Sequence, residues 1–522
     1  MKKVFNYGID RLTVNIALDI ARGNTKGVLN GKAKEKVLKS QSYVQEIVAK
    51  GDVVYGVNTG FGPLCTTIIS EEDTSTLQHK ILQSHSVGVG NIIPKETSKL
   101  MLITKAHALA QGFSGIALTT LERIIWHIDK DIVPTVPEKG SVGASGDLAP
   151  LSHLFLPLIG LGEVYTEDGS RAITSDVLSR LGMKSLQLGP KEGLALINGT
   201  QFILSHAVKV VERLAQALDT ADVIGAMSLE GLMGSARPFE PELHQIRAYK
   251  GTQLVATRLR EMLNGSEILE SHVDCDRVQD PYSLRCMPQV HGASRNAWLH
   301  LKELVEVELN SVTDNPIILD AENAISGGNF HGQPLALPLD YAGVAAAEIG
   351  NIADRRCYMM IEGRFGLPKL LMKDVGLNSG FMIPQYTSAA LVTENKTLCF
   401  PASADSVPTS LGQEDHVSMG SISGRKTLQI IDNLEQILAV ELLYAAQALD
   451  FRRPLKSSPI IEGTHAYVRE RVAHADEDRV LAYDIKAMHD IVKSGALVHL
   501  ANEISKKEKI DLNGEYKQEF SF

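Results

Sequence analysis

In the middle and C-terminal parts of the chain, apolar residues return every three or four positions over long stretches. That period belongs to the α-helix and to no strand. From Ser294 to Val312 the apolar set is Trp298, Leu301, Val305, Leu309 and Val312, with Lys302, Glu303, Glu306 and Glu308 on the other face. Thr313-Asp314-Asn315-Pro316 then stops the run. A second predicted helix spans about Arg425 to Leu449, with Leu428, Ile431, Leu434, Leu438, Leu442, Ala445 and Leu449 in register. A third, from about Leu339 to Ile361, carries Ala342, Gly343, Ala345, Ala346, Ala347 and Gly350, small residues that let helices approach closely. A fourth runs from about Thr200 to about Met227. Strand-like alternation is limited to short candidates, Thr13–Ile16 and Val53–Tyr55. The expected fold is mainly α, a bundle of long helices with an irregular N-terminal part.

Composition narrows the function classes. A chain of 522 residues buries roughly three quarters of its unfolded surface and needs neither disulfide nor metal to fold. The net charge is −10 and no Lys/Arg block appears outside the last turns, which argues against nucleic acid and membrane surfaces as partners. Five scattered cysteines, Cys65, Cys275, Cys286, Cys357 and Cys399, form no Cys-x-x-Cys pair. They fit a reducing cytoplasm and no zinc knuckle. The first eight residues lack the apolar stretch of a signal peptide, and the longest apolar run, Leu154 to Gly162, is too short to span a bilayer. The expectation is a cytoplasmic protein.

Six glycine-rich clusters interrupt the pattern: Tyr55–Gly62, Ser84–Gly90, Gly140–Asp147, Leu196–Thr200, Gly327–Gly332 and Gly412–Gly420. Packing does not require so many irregular loops, whereas sites are commonly built on loops carried by a rigid scaffold. Phosphate binding is disfavoured. Gly420-Ser421-Ile422-Ser423-Gly424-Arg425-Lys426-Thr427 has only three residues between its glycines, with Arg425 at the lysine position. None of the sixteen histidines has metal-ligand spacing, so no metal is expected.

Gly140-Ser141-Val142-Gly143-Ala144-Ser145-Gly146-Asp147 carries more. The residues after it, Leu148, Leu151, Leu154, Phe155 and Leu158, have helical spacing, with Asp147 suited to an N-cap and Pro150 tolerable in the first turn. Gly146 therefore sits at the positive end of a helix. In a tight turn its unhindered amide nitrogen can attack the carbonyl carbon of Ala144. Loss of one water closes a five-membered ring, and loss of a second from Ser145 leaves an exocyclic methylidene. The product is an electrophile made from the chain, placed where a helix end stabilises arriving negative charge.

Gly140 to His153, GSVGASGDLAPLSH, resembles the signature of the aromatic amino acid ammonia-lyases, whose prosthetic group is this methylideneimidazolone (MIO). Tyr55–Gly62 (YGVNTGFG), Ile197–Thr200 (INGT), Gln279–Cys286 (QDPYSLRC) and Gly328–Gly332 (GNFHG) are similar to further motifs of that family, in its order. The resemblance runs from about Tyr7 to about Val498. It implies the long-helix bundle of the fumarase/ammonia-lyase type. Residues 1–200 would be an N-terminal domain bearing the MIO loop and active-site loops, and 201–522 a bundle domain with C-terminal helices. It further implies a homotetramer with shared active sites, an amino-acid substrate, MIO formed from Ala144, Ser145 and Gly146, and no dissociable cofactor. Tyr55 would be the base and Arg285 would hold the substrate carboxylate through a bidentate pair. Asn198, Gln279 and Tyr282 would orient the MIO and substrate, and Phe330 would pack beside the substrate ring. Read singly, Tyr55 could be a core tyrosine, Arg285 a surface ion pair and Asn198 a turn residue.

Two positions bear on the substrate. Ser84-His85 resembles the histidine branch of the family, although some tyrosine-specific members also carry a histidine there. Glu414, in Gln413–Met419, stands where phenylalanine- and tyrosine-specific relatives have Gln. A carboxylate is costly beside phenyl but can pair with an imidazole N–H. Its other reading is support for the helix start near Ser421. Gly234–Phe239 also resembles the histidine branch, while Leu411-Gly412 replaces its usual Ala-Asn, and Met287 and His291 look atypical. The resemblance thus implies elimination of ammonia from L-histidine to give trans-urocanate. The alternative is a tyrosine or phenylalanine ammonia-lyase, or a 2,3-aminomutase, on the same scaffold.

Overall fold

A computed structural model describes residues 3–51, 53–64, 67 and 69–522; Cys65 lies outside them. The chain is mainly helical, and its four longest helices are Gln201–Gly231, Met287–Glu308, Gln333–Ile361 and Gly420–Asp450. Each overlaps one of the predicted helices, with shifted ends. The Met287 helix starts earlier than expected because Pro288 is admissible in a first turn, and it stops at Glu308 rather than Val312. The Gln333 helix likewise takes Pro334 into its first turn and continues through Pro338.

Two compact units emerge, each assembled from three chain segments: residues 1–209, 301–340 and 401–425 in one, and 210–300, 341–400 and 426–522 in the other. The first unit holds all the strands, in small two- and three-stranded sheets. Lys3–Asn6 pairs in parallel with Thr25–Val28, and Glu163–Tyr165 lies between Val133–Pro134 and Arg171–Ile173. Neither predicted strand forms. Thr13 instead caps the helix Val14–Ala21, its side chain accepting the Ile16 N–H, so a local capping bond overrides β-branched propensity. Val53–Tyr55 turns into a loop in which the Val54 N–H donates to Asn58 Oδ1 and the Val57 N–H to the Val54 carbonyl.

In the second unit the small-residue stripe works as expected. A Cβ on Gly350 would stand 3.0 Å from Ile437 Cδ1, and one on Gly343 3.1 Å from Ile430 Cδ1. A side chain at either position would require the facing isoleucine to give way by a few tenths of an ångström. The same interior buries charges in pairs. Arg356 clamps both oxygens of Glu441, and Asp222 accepts from Arg258, Arg295 and His291. His291, unexplained by sequence, is thus a fully buried partner of Asp222 at 2.9 Å, and Met287 packs against Gly225 beside it. Cys275, Cys286, Cys357 and Cys399 form no disulfide among the described residues. Among the described residues no helix is long and apolar enough to cross a membrane, and no three His, Cys, Asp or Glu form a metal-binding group.

Candidate active site

The backbone doubles back between Gly143 and Gly146, which face each other as an antiparallel bridge. Gly143, Ser145 and Gly146 have φ of +86°, +50° and +81°, the left-handed region that glycine tolerates and serine does not favour. Neighbouring loops enforce this geometry. Gly199 N–H donates to the Ser145 carbonyl at 3.2 Å, and Asp147 N–H to the Gly199 carbonyl at 2.8 Å. From the other side Met419 N–H reaches the Val142 carbonyl at 3.0 Å, and Ser421 Oγ the Ser141 carbonyl at 2.8 Å. A Cβ on Gly146 would lie 2.1 Å from the Gly199 oxygen, and one on Gly143 2.1 Å from Ser418 Oγ. Three of the six glycine clusters therefore converge on Ala144-Ser145-Gly146, and the turn is tight at the bond where a Gly146 nitrogen would close on Ala144.

Asp147 corrects one expectation. It stands at the N-cap position of the helix Leu148–Phe155 but makes no side-chain cap there. Its carboxylate reaches instead to the start of the Gln201 helix, where Oδ2 accepts the N–H groups of Phe202 and Ile203, both at 3.0 Å. Ser141 Oγ donates to Oδ1 at 3.2 Å. The residue thus satisfies orphan donors of a helix some fifty residues on and ties that helix to the turn. Burial pushes its carboxyl up to about 7, against the pull of these donors. Sequence reading also passed over Lys105. It is fully buried, with desolvation lowering its ammonium to about 7, and its Nζ donates to the Asn198 carbonyl. A lysine inside the otherwise buried Leu100–Leu109 stretch was the available signal.

A cavity of about 490 Å³ opens on the turn. Tyr55, His85, Ser145 and Glu414 line it together, with apolar wall from Phe61, Leu148 and Leu194. The Gly62 N–H donates to the Tyr55 hydroxyl oxygen at 3.2 Å, a bond that favours the phenolate when the proton leaves. His85, at the end of the helix Glu71–His85, lies 2.9 Å from Ser84 Oγ through Nδ1. Burial lowers its pKa, while the Ile81 carbonyl and the Glu414 charge oppose the shift. Glu414 Oε1 accepts from Ser145 Oγ at 3.4 Å. Its other oxygen takes the Ser410 and Thr409 hydroxyls, two contacts the sequence reading did not anticipate. Glu414 therefore faces the cavity with its carboxylate bonded to Ser145, Thr409 and Ser410, none of which belongs to the helix that starts at Gly420.

The remaining residues are placed elsewhere. Asn198 is buried behind the turn, Nδ2 donating to the Asn315 carbonyl at 2.9 Å while Oδ1 accepts nothing. Half-buried Phe330 belongs to the Gly327–Gly332 loop, which does not line the cavity but flanks a second opening with Glu308 and Thr313. Gln279, Tyr282 and Arg285 sit in the second unit on an exposed segment. Tyr282 is 72% exposed, and the Arg285 guanidinium lies 4.5 Å from its ring centre while donating to the Asp280 carbonyl. None of the three lines the cavity.

A tight, glycine-flanked Ala-Ser-Gly turn beneath a cavity that holds a tyrosine and a carboxylate, on a long-helix scaffold, defines a class, and comparison with known proteins agrees. The family model for aromatic amino acid lyases matches residues 12–470, and the chain belongs to that family. Within it, the chain is 46% identical to the histidine ammonia-lyase of Myxococcus xanthus over 491 residues, 94% of this chain and 96% of that one. The crystal structure of histidine ammonia-lyase from Trypanosoma cruzi superposes with a TM-score of 0.90 at 37% identity, covering 100% of this chain and 98% of that one. Tyrosine aminomutase from Streptomyces globisporus also superposes at 0.90, with 34% identity over 96% of this chain and 99% of that one.

Proposed function

We propose that the chain eliminates ammonia from L-histidine to give trans-urocanate, the first step of histidine degradation. Glu414 carries this reading. A carboxylate in an apolar-walled cavity beside Ser145 suits a ring that brings an N–H, and penalises phenyl. Relatives of the same substrate class at near-full coverage support it.

Elimination breaks the Cα–N bond and the Cβ–H bond, forms the Cα=Cβ double bond and releases ammonia. Tyr55 is the base in this reading: its deprotonated oxygen, steadied by the Gly62 N–H, takes the Cβ proton, the Cβ–H electrons form the double bond and the Cα–N pair leaves with ammonia. MIO, formed from Ala144, Ser145 and Gly146, supplies an electrophile that improves the leaving group or the acidity of that proton. The left-handed turn, the missing Cβ of Gly146 and the clamp from Gly199 fit its formation. No dissociable cofactor takes part. Arg285 binds the substrate carboxylate, and Asn198, Gln279, Tyr282 and Phe330 orient the reactants. The exposure of Tyr282 and Gln279 supports their completing the cavity of another copy in a cytoplasmic homotetramer.

The test is purified protein offered histidine, tyrosine and phenylalanine, with the conjugated product followed by ultraviolet absorbance, together with intact mass. Histidine should be the preferred substrate and the mature chain should weigh less than its sequence by two waters. Preferential turnover of tyrosine would favour a tyrosine lyase or aminomutase instead. A fully active protein of unmodified mass would end the MIO assignment.

A further inference from the structure

The two oxygens of Glu414 are held very differently. Oε2 accepts the Ser410 hydroxyl at 2.6 Å and the Thr409 hydroxyl at 3.0 Å, whereas Oε1 accepts the Ser145 hydroxyl at a long 3.4 Å. Both donors sit at the base of the turn that carries Glu414. Thr409 N–H donates to the Glu414 carbonyl at 2.9 Å and Glu414 N–H to the Thr409 carbonyl at 3.4 Å. Between them Ser410, Leu411 and Gly412 run through φ of +50°, +56° and +87°. Two non-glycine residues in succession in the left-handed region are conformationally costly, and such backbone persists where surrounding bonds over-determine it. Here two of those bonds end on one carboxylate oxygen.

We infer that Ser410 and Thr409 are positioning residues for substrate selection: their hydroxyls occupy Oε2 of Glu414 and so present Oε1 to the ring N–H of the substrate. The inference rests on the proposal that Glu414 meets an imidazole. A glutamate side chain is otherwise free to sample many rotamers, and fixing it before the substrate arrives removes that ordering cost from binding. Were Ser145 to give up its hydroxyl as water in forming MIO, this 3.4 Å contact would go and leave Oε1 to the cavity.

The experiment is a double-mutant cycle on the full-length protein, read as kcat/KM for histidine. Ser410→Gly removes the hydroxyl and suits the positive φ, so the turn is retained. It should lower kcat/KM about tenfold, the scale of a hydrogen bond to a charged group. In a Glu414→Ala background the same change should alter kcat/KM by less than about twofold, because the group through which Ser410 acts is gone. Thr409→Val should cost several-fold, and Thr409→Ser, which keeps the hydroxyl, should restore the native value. Undiminished turnover in Ser410→Gly overturns the inference, as does an equal loss in both backgrounds, which would mark an effect of loop shape alone. If Glu414→Ala by itself left histidine turnover intact, the assignment of Glu414 to the substrate would fall, and this inference with it.

Discussion

Two turns of left-handed backbone meet at the cavity, and they are held in opposite ways. Gly143–Gly146 is enclosed: atoms of Gly199 and Ser418 stand where a Cβ would go, and hydrogen bonds arrive from loops fifty and more residues away. Ser410–Gly412 is open: Leu411 is 94% exposed, a Cβ on Gly412 would meet nothing within 4 Å, and the closing bonds run between Thr409 and Glu414. The first geometry is imposed from outside, by the packed fold. The second is local. Chemistry that alters the chain itself requires the first kind, because the turn must hold while a bond forms within it. Selection among similar substrates tolerates the second.

The largest effect should come from filling the enclosed turn. Gly146→Ala puts a methyl 2.1 Å from the Gly199 oxygen at a φ of +81°. The turn should open and the two-water mass loss disappear. Ser145→Ala keeps the turn but cannot form the methylidene, so it should also abolish the full mass loss. Each should lower kcat/KM by more than about three decades, as when one member of a group that acts as a unit is removed. Intact mass and turnover read both. A Gly146→Ala protein with native mass loss and rate would show the turn to be as adaptable as the open one.

Glu414→Gln comes next. It keeps the volume and removes the charge at the base of the open turn. Histidine kcat/KM should fall about tenfold or more, since a bond to a charged acceptor is worth about 1.5–3 kcal/mol. Trace activity on tyrosine or phenylalanine should hold or rise. Undiminished histidine turnover would move the weight of specificity to His85.

How far the sequence could carry these contrasts depends on the range of the interaction. The long helices were legible because their period is local and repeated, and the Gly140–Asp147 chemistry because it resides in three adjacent residues. Their meeting points were not. Nothing near Asp147 announces that its carboxylate caps Phe202 and Ile203, and the local expectation assigned it to the wrong helix. Thr13 misled in the reverse sense, its β-branched neighbours masking a cap. Gln279, Tyr282 and Arg285 could be read as a motif, but their exposure outside the cavity could not.

Asp147→Asn probes the enclosure with a moderate effect. Its carboxyl titrates at about 7 in the fold against an ordinary value of 3.8, so the fold binds the proton more tightly than the unfolded chain does. That contribution is complete below about 3.8 and is lost as pH rises to about 7. Asparagine caps a helix nearly as well and does not titrate. The thermal midpoint of Asp147→Asn relative to the native protein should therefore climb by several degrees over that interval, at about 2–4 °C per kcal/mol for a large domain, and then level off. A difference that stays flat with pH would mean the carboxylate remains ionised in the fold.

The smallest effect belongs to Leu411. Its side chain points into solvent at a φ of +56°, a conformation that costs an L-residue about 1–2 kcal/mol relative to glycine. Leu411→Gly relieves that cost but gives the unfolded chain more freedom, so the two changes largely offset one another. The hydroxyls of Thr409 and Ser410 and their bonds to Glu414 do not involve the leucine side chain. Thermal midpoint should shift by no more than about 2 °C and histidine kcat/KM by less than about twofold, as for surface changes that break no named interaction. Gly412→Asn should be equally mild, because asparagine tolerates left-handed backbone. A tenfold loss from Leu411→Gly beside a harmless Gly412→Asn would mean that the leucine is covered by another copy in the working assembly. The open turn would then be held from outside as well, and the contrast between the two would be one of partner, not of kind.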